Sequence, residues 1–133
     1  MGICCGVDIV EVDRIRHSLE NGGEAFKKRV FTEKEIEYCE SKKSAKYESY
    51  AARFAAKEAV SKAFGTGIGK YVSWKDIEVL NDDKGKPYVV LSGGAKELFY
   101  SINGLDMSIS LSHCKDYAIA YAVFEIGNVS SEN

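Results

Sequence analysis

The pattern of apolar residues predicts an α+β fold, in which an antiparallel sheet packs on one side against a long central helix. Three observations support this. Residues 46–65 have the periodicity of a long helix, two pairs of apolar segments are joined by turns short enough for hairpins, and the elements follow in the order βαααββαββ. We therefore expect a single domain over residues 1–126 and a polar tail over 127–133.

The chain begins with a predicted strand and a predicted helix. Residues 3–10 (ICCGVDIV) form an apolar run that is typical of a buried strand. Val12, Ile15 and Leu19 then recur at helical spacing. The segment Asn21-Gly22-Gly23 is expected to end this helix, because glycine is a poor helix former.

Two more helices follow. Thr32 and Glu35 form a capping-box pattern, which predicts a helix from Glu33 to about Ser41. The long helix at 46–65 carries small residues at helical spacing, which would let a neighbouring element approach closely: Ala52, Ala56, Ala59 and Ala63. Gly65 is expected to act as its C-cap.

The C-terminal half is predicted to be mostly strand. A first hairpin is expected from strands at Trp74–Leu80 and Tyr88–Leu91, joined by the turn NDDKGK at 81–86. Ser92 is expected to cap a short helix that ends near Ile102. Two strands follow at 107–113 and 117–125; the second is apolar on both faces, which predicts a central position in the sheet.

Composition excludes several classes of protein. The 133 residues carry a net charge of −2, which argues against a general nucleic-acid binder. No apolar stretch reaches membrane-spanning length, and the N-terminus lacks the basic region of a signal peptide, so we expect a cytoplasmic protein. The four cysteines lack metal-binding spacing and are interpreted as small structural hydrophobic residues in a reducing compartment, and the adjacent Cys4 and Cys5 are expected to be buried.

Two carboxylates are candidate metal ligands. Asp8 lies in an apolar strand, where a charge is costly unless it is paired or holds a metal; capping of the next helix is the alternative, although Asp13 is better placed for that. Glu58 followed by Lys62 is ordinarily a surface helical pair worth about 0.2–0.5 kcal/mol. Carboxylates from two elements, with phosphate oxygens, are however typical of a Mg²⁺ site.

The glycine-rich segment after the long helix does not form a P-loop. The P-loop pattern requires glycine at position 64, which is Phe64, and Ser or Thr at position 71, which is Tyr71. The segment also follows a helix instead of preceding one, so the helix dipole would disfavour phosphate there. A ligand could still approach the backbone closely at Gly65.

Two other features remain open on the sequence alone. His113 ends a strand and is interpreted either as a structural hydrogen-bonding group or as a binding group at the edge of the sheet. Residues 14–30 hold five basic residues against two glutamates. Such a run is usually a solvated face, but it also offers a docking surface for an acidic macromolecule.

Five segments together resemble the holo-acyl-carrier-protein synthases, the small bacterial 4′-phosphopantetheinyl transferases. The segments occur in the family's order over about residues 5–125. They are GVDIVEVDRI at 6–15, FTEKE at 31–35, RFAAKEAVSKAFGTGIG at 53–69, DDKGKPYV at 82–89 and SISLSHCKDYAIAYAV at 108–123. One such match could arise by chance, whereas five in order are highly specific.

The resemblance implies transfer of phosphopantetheine from coenzyme A to a serine of apo acyl carrier protein, as in fatty acid biosynthesis, with release of adenosine 3′,5′-bisphosphate. It implies a homotrimer with active sites between subunits. By position it implies Asp8 and Glu58 as Mg²⁺ ligands, Glu58 and Lys62 as catalytic residues, and Arg14 and Lys28 as docking residues for the carrier. The coenzyme A cleft would be lined by Arg53, Lys57, Lys62, Gly65, Pro87 and His113.

The physical chemistry of this reaction agrees with these residues, because Mg²⁺ and lysine would stabilise the charge that develops on a pyrophosphate. The proton acceptor stays open among Glu58, a Mg²⁺-bound water and a carboxylate near Glu35. Two other classes of function are weighed. A metal-free coenzyme A sensor would not need Asp8 together with Glu58, and a trimeric scaffold for acidic partners would explain neither carboxylate.

Overall fold

The computed structural model describes residues 2–128 and contains five strands and four helices within that range. The elements are β1 (Gly2–Glu11), α1 (Val12–Val30), α2 (Glu33–Ser41), α3 (Lys46–Phe64), β2 (Ile77–Asn81), β3 (Pro87–Leu91), α4 (Gly93–Ser101), β4 (Gly104–His113) and β5 (Tyr117–Ile126). Short 3₁₀ turns at Lys43–Ala45 and Trp74–Asp76 precede α3 and β2. The predicted α+β class is confirmed. The predicted tail at 127–133 lies mostly outside the described residues.

The main sheet is antiparallel and has the strand order β1-β5-β4. β5 is central, as its apolar sequence predicted. Asp8 lies opposite Ala120 and His113 lies opposite Ala118 in the two strand pairs. The first predicted hairpin forms a separate two-stranded sheet, β2-β3, so the strands make two sheets within the described chain.

Helix α3 packs along one face of the main sheet. Its predicted small-residue stripe is buried: Ala52, Ala56, Ala59 and Ala63. The facing side chains of the central strand are also mainly small, namely Ala118, Ala120 and Ala122, each buried. Small side chains on both sides let the helix axis come close to the sheet. This packing fixes which residues of β1 meet which residues of α3.

Helix α1 is longer than predicted. The segment expected to end it is a kink, where Gly23 leaves helical geometry at φ 57° and ψ −146°, and the helix then continues to Val30. Glycine tolerates this positive φ without the clash of a Cβ atom, so it interrupts the helix only locally. Val30 is fully buried, which anchors the second half of α1 to the core.

The predicted capping box of α2 is confirmed. Glu35 N–H donates to the Thr32 hydroxyl oxygen, and Thr32 N–H donates to the Glu35 carboxylate at 2.8 Å. The cap expected at Ser92 is wrong, because its side chain makes no capping hydrogen bond. Asp76 takes that role in α4 and accepts from Ala95 N–H at 3.3 Å.

The expectation that the adjacent cysteines Cys4 and Cys5 are buried is wrong. Only Cys39 is buried, Cys4 is half-buried, and Cys5 and Cys114 are exposed; all four are free thiols. Burial raises the pKa of the Cys39 thiol to about 11. Cys5 is exposed because odd-numbered residues of β1 point away from α3. Within residues 2–128, no helix is both long and apolar enough to cross a bilayer.

Candidate active site

Strand β1 brings Asp8 against the C-terminal half of α3. Gly6 makes this approach close: a Cβ atom there would lie 2.1 Å from the Ala59 carbonyl oxygen and 2.7 Å from the Ala63 nitrogen. Because side chains two residues apart lie on the same face of a strand, Asp8 also faces α3. The contact between a glycine and a helix therefore places a carboxylate beside that helix.

Lys62 pairs with Asp8 across the two elements. Lys62 Nζ lies 2.9 Å from Asp8 Oδ1 and donates to the Val7 carbonyl oxygen at 3.2 Å. The Asp8 side chain is 16% exposed and the Lys62 side chain is 50% exposed. The helical pair suggested by the i, i+4 spacing is not formed, since no ion pair joins Glu58 to Lys62 among the described residues. The lysine belongs to a site that spans strand and helix.

Glu58 lies half-buried in the same site. Its carboxylate has no hydrogen bond or ion pair within residues 2–128. Burial raises the pKa of Glu58, and the nearby charge of Asp8 raises it further, whereas Lys62 and Arg14 oppose that shift. The two carboxylates therefore repel each other across one site, with two cations around them.

This pair of carboxylates fits a magnesium ion. Hard carboxylate oxygens are its preferred protein ligands, and Mg²⁺ keeps several waters, so two protein ligands suffice. A cation between Asp8 and Glu58 would relieve the repulsion that raises the pKa of Glu58. In the described part of the chain no group of three or more acidic, histidine or cysteine side chains could hold a metal, so the other ligands would be water or substrate oxygens.

A cavity of about 350 Å³ lies beside the other flank of α3. The predicted residues Arg53, Pro87 and His113 line it, together with Tyr38, Lys42, Ala45, Ser49, Ala52, Asn81, Gly85 and Leu111. The structure thus brings together three of the six residues that were predicted to line a cofactor cleft. The aromatic, aliphatic and cationic lining is typical of a pocket for an anionic organic ligand.

Arg53 is the buried cation of this cavity. It is 3% exposed, donates to Asn81 Oδ1 at 2.5 Å and lies over the Tyr38 ring at 4.0 Å from the centroid. Its Nε atom is buried and has no hydrogen-bond partner within the described chain. An unused donor on a buried guanidinium indicates a place for an acceptor such as a phosphate oxygen.

Asn81 and Tyr38 were missed by the sequence analysis. Asn81 was assigned to the turn, although it ends β2 and faces Arg53. Tyr38 had no signal beyond its place on the polar helix α2. Both residues are recruited by tertiary packing.

The carboxylate pair and the cavity lie on different sides of α3. Arg53 and Glu58 are five residues apart, which corresponds to about 140° around a helix. Arg53 contacts side chains from α2 and β2, whereas Glu58 is near charges on β1 and α1. Within one chain, the two halves of the predicted site do not face each other.

The structure does not bring Lys57 to either half. Lys57 is fully buried and lies 2.8 Å from Glu35 Oε1, so it does not line the cavity as predicted from the resemblance. Burial lowers the pKa of Lys57, and the Glu35 carboxylate opposes that shift. Glu35 is equally buried, which places it out of reach of a substrate hydroxyl.

The other predicted residues lie at the surface. Gly65 ends α3 in the left-handed conformation, at φ 83°, as its C-cap. Arg14 and Lys28 are exposed on α1. Arg14 is close enough to Glu58 to lower its pKa, which connects this helix to the carboxylate site.

Other basic residues of α1 are engaged in ion pairs. Lys27 pairs with Glu24 and Glu40, and Arg16 pairs with Asp13 and Glu20. Of the predicted basic run, Arg14, Lys28 and Arg29 form no ion pair with another described residue, and Arg29 lies over the Phe26 ring.

The family comparison covers most of the chain. The model of the 4′-phosphopantetheinyl transferase superfamily matches residues 4–122. A protein from Ruminiclostridium cellulolyticum named holo-[acyl-carrier-protein] synthase is 61% identical over 128 residues, which cover 96% of each chain.

Solved structures show the same likeness. A holo-(acyl-carrier-protein) synthase from Bacillus anthracis, in complex with CoA (3′,5′-ADP), is 42% identical with a TM-score of 0.77, over 93% of this chain and 96% of that one. The Helicobacter pylori holo-[acyl-carrier-protein] synthase in complex with coenzyme A is 36% identical with a TM-score of 0.81, over 91% of this chain and 99% of that one.

Proposed function

Because this chain belongs to the 4′-phosphopantetheinyl transferase superfamily, as an enzyme of the holo-acyl-carrier-protein synthase family, we propose that it loads an acyl carrier protein in a Mg²⁺-dependent reaction. The 4′-phosphopantetheine group of coenzyme A is transferred to a serine of the apo carrier, and adenosine 3′,5′-bisphosphate is released. The observation that carries the proposal is the cluster of Asp8, Glu58 and Lys62, which β1 and α3 build on the side of α3 away from the Arg53 cavity.

The carboxylate cluster would act on the pyrophosphate of coenzyme A. Asp8 and Glu58 would hold Mg²⁺, which supplies charge stabilisation to the pyrophosphate oxygens when bound. Lys62 is half-exposed and reaches the same place, so its ammonium group would bind a pyrophosphate oxygen. Positioning and charge neutralisation account for most of the catalysis in phosphoryl transfer.

Glu58 is also the candidate acceptor for the serine proton. Glu58 is half-buried beside Lys62, so its carboxylate can reach a serine hydroxyl that is brought to the pyrophosphate. Glu35, the other carboxylate considered, is buried and ion-paired with Lys57. The burial of Glu35 leaves Glu58 as the side chain with access to a substrate hydroxyl.

The cavity beside Arg53 would take the nucleotide end of coenzyme A. Arg53 would supply positive charge to the phosphate groups from the cavity wall, which Pro87 and His113 also line. Gly65 carries no side chain and would let the ligand pass close to the end of α3. Lys57 is removed from the predicted set of contacts because it is buried among protein groups.

A homotrimer would complete the site. The two halves lie on different sides of α3, so a neighbouring copy would have to supply the half that faces each carboxylate pair. The outer face of the main sheet is apolar and exposed, which supports assembly through that face. Its exposed residues are Ile3, Val7, Ile9, Tyr117, Ile119 and Tyr121.

The protein substrate would dock on α1. Arg14 and Lys28 are both exposed on α1, and Arg14 carries positive charge near the carboxylate site, as an acidic carrier protein would require. Such a carrier belongs to fatty acid biosynthesis in the cytoplasm, which is where we place the enzyme.

Intact-mass measurement of an apo acyl carrier protein tests the proposal. The carrier is incubated with this protein and coenzyme A, with Mg²⁺ or with excess EDTA. We expect the carrier to gain the mass of one phosphopantetheine group in Mg²⁺ only, and equimolar adenosine 3′,5′-bisphosphate to appear. A carrier serine replaced by alanine is the control. An unchanged carrier mass in Mg²⁺ contradicts the proposed transfer, and full activity in EDTA contradicts the metal.

A further inference from the structure

A buried ion pair lies between the two halves of the candidate site. Lys57 Nζ is 2.8 Å from Glu35 Oε1, and both side chains are 0% exposed. Removing two charges from water is costly and is often not recovered by the attraction between them. A buried pair of this kind is therefore better explained by the geometry it fixes than by the stability it adds.

The hydrogen-bonding capacity of the lysine is fully used. Besides Glu35, Lys57 Nζ donates to the Trp74 carbonyl oxygen at 3.0 Å and to the Ile77 carbonyl oxygen at 2.5 Å. An ammonium group has three N–H donors, so none is left for a ligand.

The glutamate is equally engaged. Glu35 Oε1 accepts from Thr32 N–H at 2.8 Å, and Oε2 accepts from Val79 N–H at 2.8 Å. The pair, which we name the Glu35–Lys57 clamp, joins α2, α3 and the start of β2. Thr32 adds a parallel connection, because its hydroxyl donates to Glu78 at 2.5 Å.

The clamp holds the hairpin that carries one wall of the cavity. β2 ends at Asn81, which accepts a hydrogen bond from Arg53, and β3 begins at Pro87, which lines the same cavity. Arg53 lies one helical turn before Lys57 on α3. Trp74 also packs on Phe54, with ring centroids 4.9 Å apart. The contacts that fix the distance between α3 and the β2–β3 hairpin therefore lie within one helical turn of Arg53.

We propose that Glu35 and Lys57 are positioning residues for coenzyme A binding, which hold the β2–β3 hairpin against α3 so that Asn81, Pro87 and Arg53 form the nucleotide cavity. Neither residue touches the ligand. This inference rests on the proposed function of the cavity.

Substitution of the lysine tests the clamp, because the change should appear in KM for coenzyme A and not in kcat. Lys57→Met removes all three hydrogen bonds and is expected to raise KM for coenzyme A about 10-fold, because displaced binding groups lose much of their effect. The value of kcat at saturating coenzyme A is expected to stay within about 3-fold, since Asp8, Glu58 and Lys62 are untouched. Glu35→Gln removes the charge and replaces one acceptor oxygen with an NH₂ donor, so the hydrogen bond from Val79 or those from Thr32 and Lys57 are also lost. It is expected to raise KM for coenzyme A in the same direction, and it serves if Lys57→Met does not fold.

The control is Phe124→Leu, a buried position of β5 among aromatic rings. It is expected to lower the thermal midpoint with no change in KM for coenzyme A. A KM for Lys57→Met that rises no more than in this control, or a loss confined to kcat, overturns the proposal.

Hydrogen exchange tests the clamp without any activity measurement. In Lys57→Met we expect faster exchange at amides 77–91 and unchanged exchange in β1 and β5. Unchanged protection of the hairpin refutes the clamp even if the enzyme is active. Failure of the proposed function is detected separately, by calorimetry of coenzyme A with the unaltered protein. If the unaltered protein does not bind coenzyme A, Glu35 and Lys57 have no role in coenzyme A binding, whatever the hydrogen exchange shows.

Discussion

At the scale of single residues, the pairing of Lys62 decides the character of the site. Its sequence neighbour at helical spacing is Glu58, but the structure pairs it with Asp8 at 2.9 Å. Glu58 is left half-buried without an ion-pair partner among the described residues, and its pKa is raised. A half-buried carboxylate without a partner is costly for a protein, and we therefore expect a cation to bind beside Glu58.

The first prediction is that Glu58→Gln lowers kcat by about 100-fold or more, because a metal ligand and candidate base is lost. Stability should not fall, since Glu58 forms no hydrogen bond or ion pair with another described residue and its charge is disfavoured by burial and by Asp8. Steady-state assays and thermal melts measure the two effects. Glu48→Gln on the same helix is the control, and retained activity in Glu58→Gln would remove Glu58 from the mechanism.

The second prediction concerns the buried thiol. The pKa of Cys39 is raised from 9.0 to about 11, so the folded protein holds this proton more tightly than the unfolded chain. The contribution of the Cys39 thiol to the free energy of unfolding is fully present below pH 9 and is lost as the pH rises towards 11. At about 1.4 kcal/mol per pH unit, the loss amounts to roughly 2–3 kcal/mol.

Urea unfolding of Cys39→Ala at a series of alkaline pH values measures this contribution. The loss of stability between pH 9 and 11 should be smaller in Cys39→Ala than in the unaltered protein. Cys114→Ala, at an exposed thiol, should leave the slope unchanged. Identical slopes for Cys39→Ala and the unaltered protein would contradict the assignment.

At the scale of elements, the contact between β1 and α3 builds the carboxylate pair. Gly6 is the point of closest approach, and Asp8 lies two residues further along the same face. The strand cannot move away from the helix without separating Asp8 from Lys62 and Glu58. The stability of this contact and the geometry of the site therefore depend on one glycine.

The third prediction is that Gly6→Ala destabilises the fold by about 1–3 kcal/mol, because the new methyl group would overlap backbone atoms of α3. Activity of the folded fraction should also fall, since Asp8 is displaced. Gly127→Ala is the control, because a Cβ atom there meets only side-chain atoms of Leu105 at 3.6 Å and backbone at 3.7 Å. Equal stability of both variants by urea unfolding would contradict the close approach.

Element types follow largely from local sequence. The capping box at Thr32 and the glycine C-cap at Gly65 defined helix ends correctly, because capping depends on neighbouring residues. The break predicted at Asn21–Gly23 became a kink, because packing of Val30 carries the helix onward. Ser92 lost its capping role to Asp76, which lies sixteen positions earlier in the chain and reaches α4 only in the folded protein.

At the scale of the whole molecule, the outer face of the main sheet is apolar and exposed. Ile3 and Ile9 are 74% and 62% exposed on β1, beside exposed tyrosines of β5. Continuous apolar surfaces on soluble proteins usually mark interfaces. Assembly through this face is the homotrimer proposed above.

The fourth prediction is that Ile9→Lys dissociates the assembly, because a charge would be buried at its apolar interface. Sedimentation velocity should give a trimer for the unaltered protein and a monomer for the variant. Lys34→Met, an exposed substitution on α2, should remain trimeric. A monomeric unaltered protein would contradict the proposed assembly.

The fifth prediction is that two inactive variants restore each other when co-expressed. Arg53→Ala lacks the cavity half and Glu58→Gln lacks the carboxylate half, so mixed assemblies would contain some sites with both halves intact. Asp8→Asn mixed with Glu58→Gln shares the same defective half and should stay inactive. Absence of recovery in the first mixture would indicate that each chain builds its whole site.

The sequence by itself determined the class of fold, the ends of α2 and α3 and the identity of the charged groups, because periodicity, capping and glycine conformation are local properties of the chain. The family resemblance also directed attention to Asp8 and Glu58. Only the tertiary structure decided which groups meet: Lys62 turned to Asp8, Lys57 was buried against Glu35, and Asn81 was brought to Arg53. These contacts join residues that are far apart in the sequence. Sequence spacing does not distinguish between the possible partners, whereas burial and charge in the folded protein do.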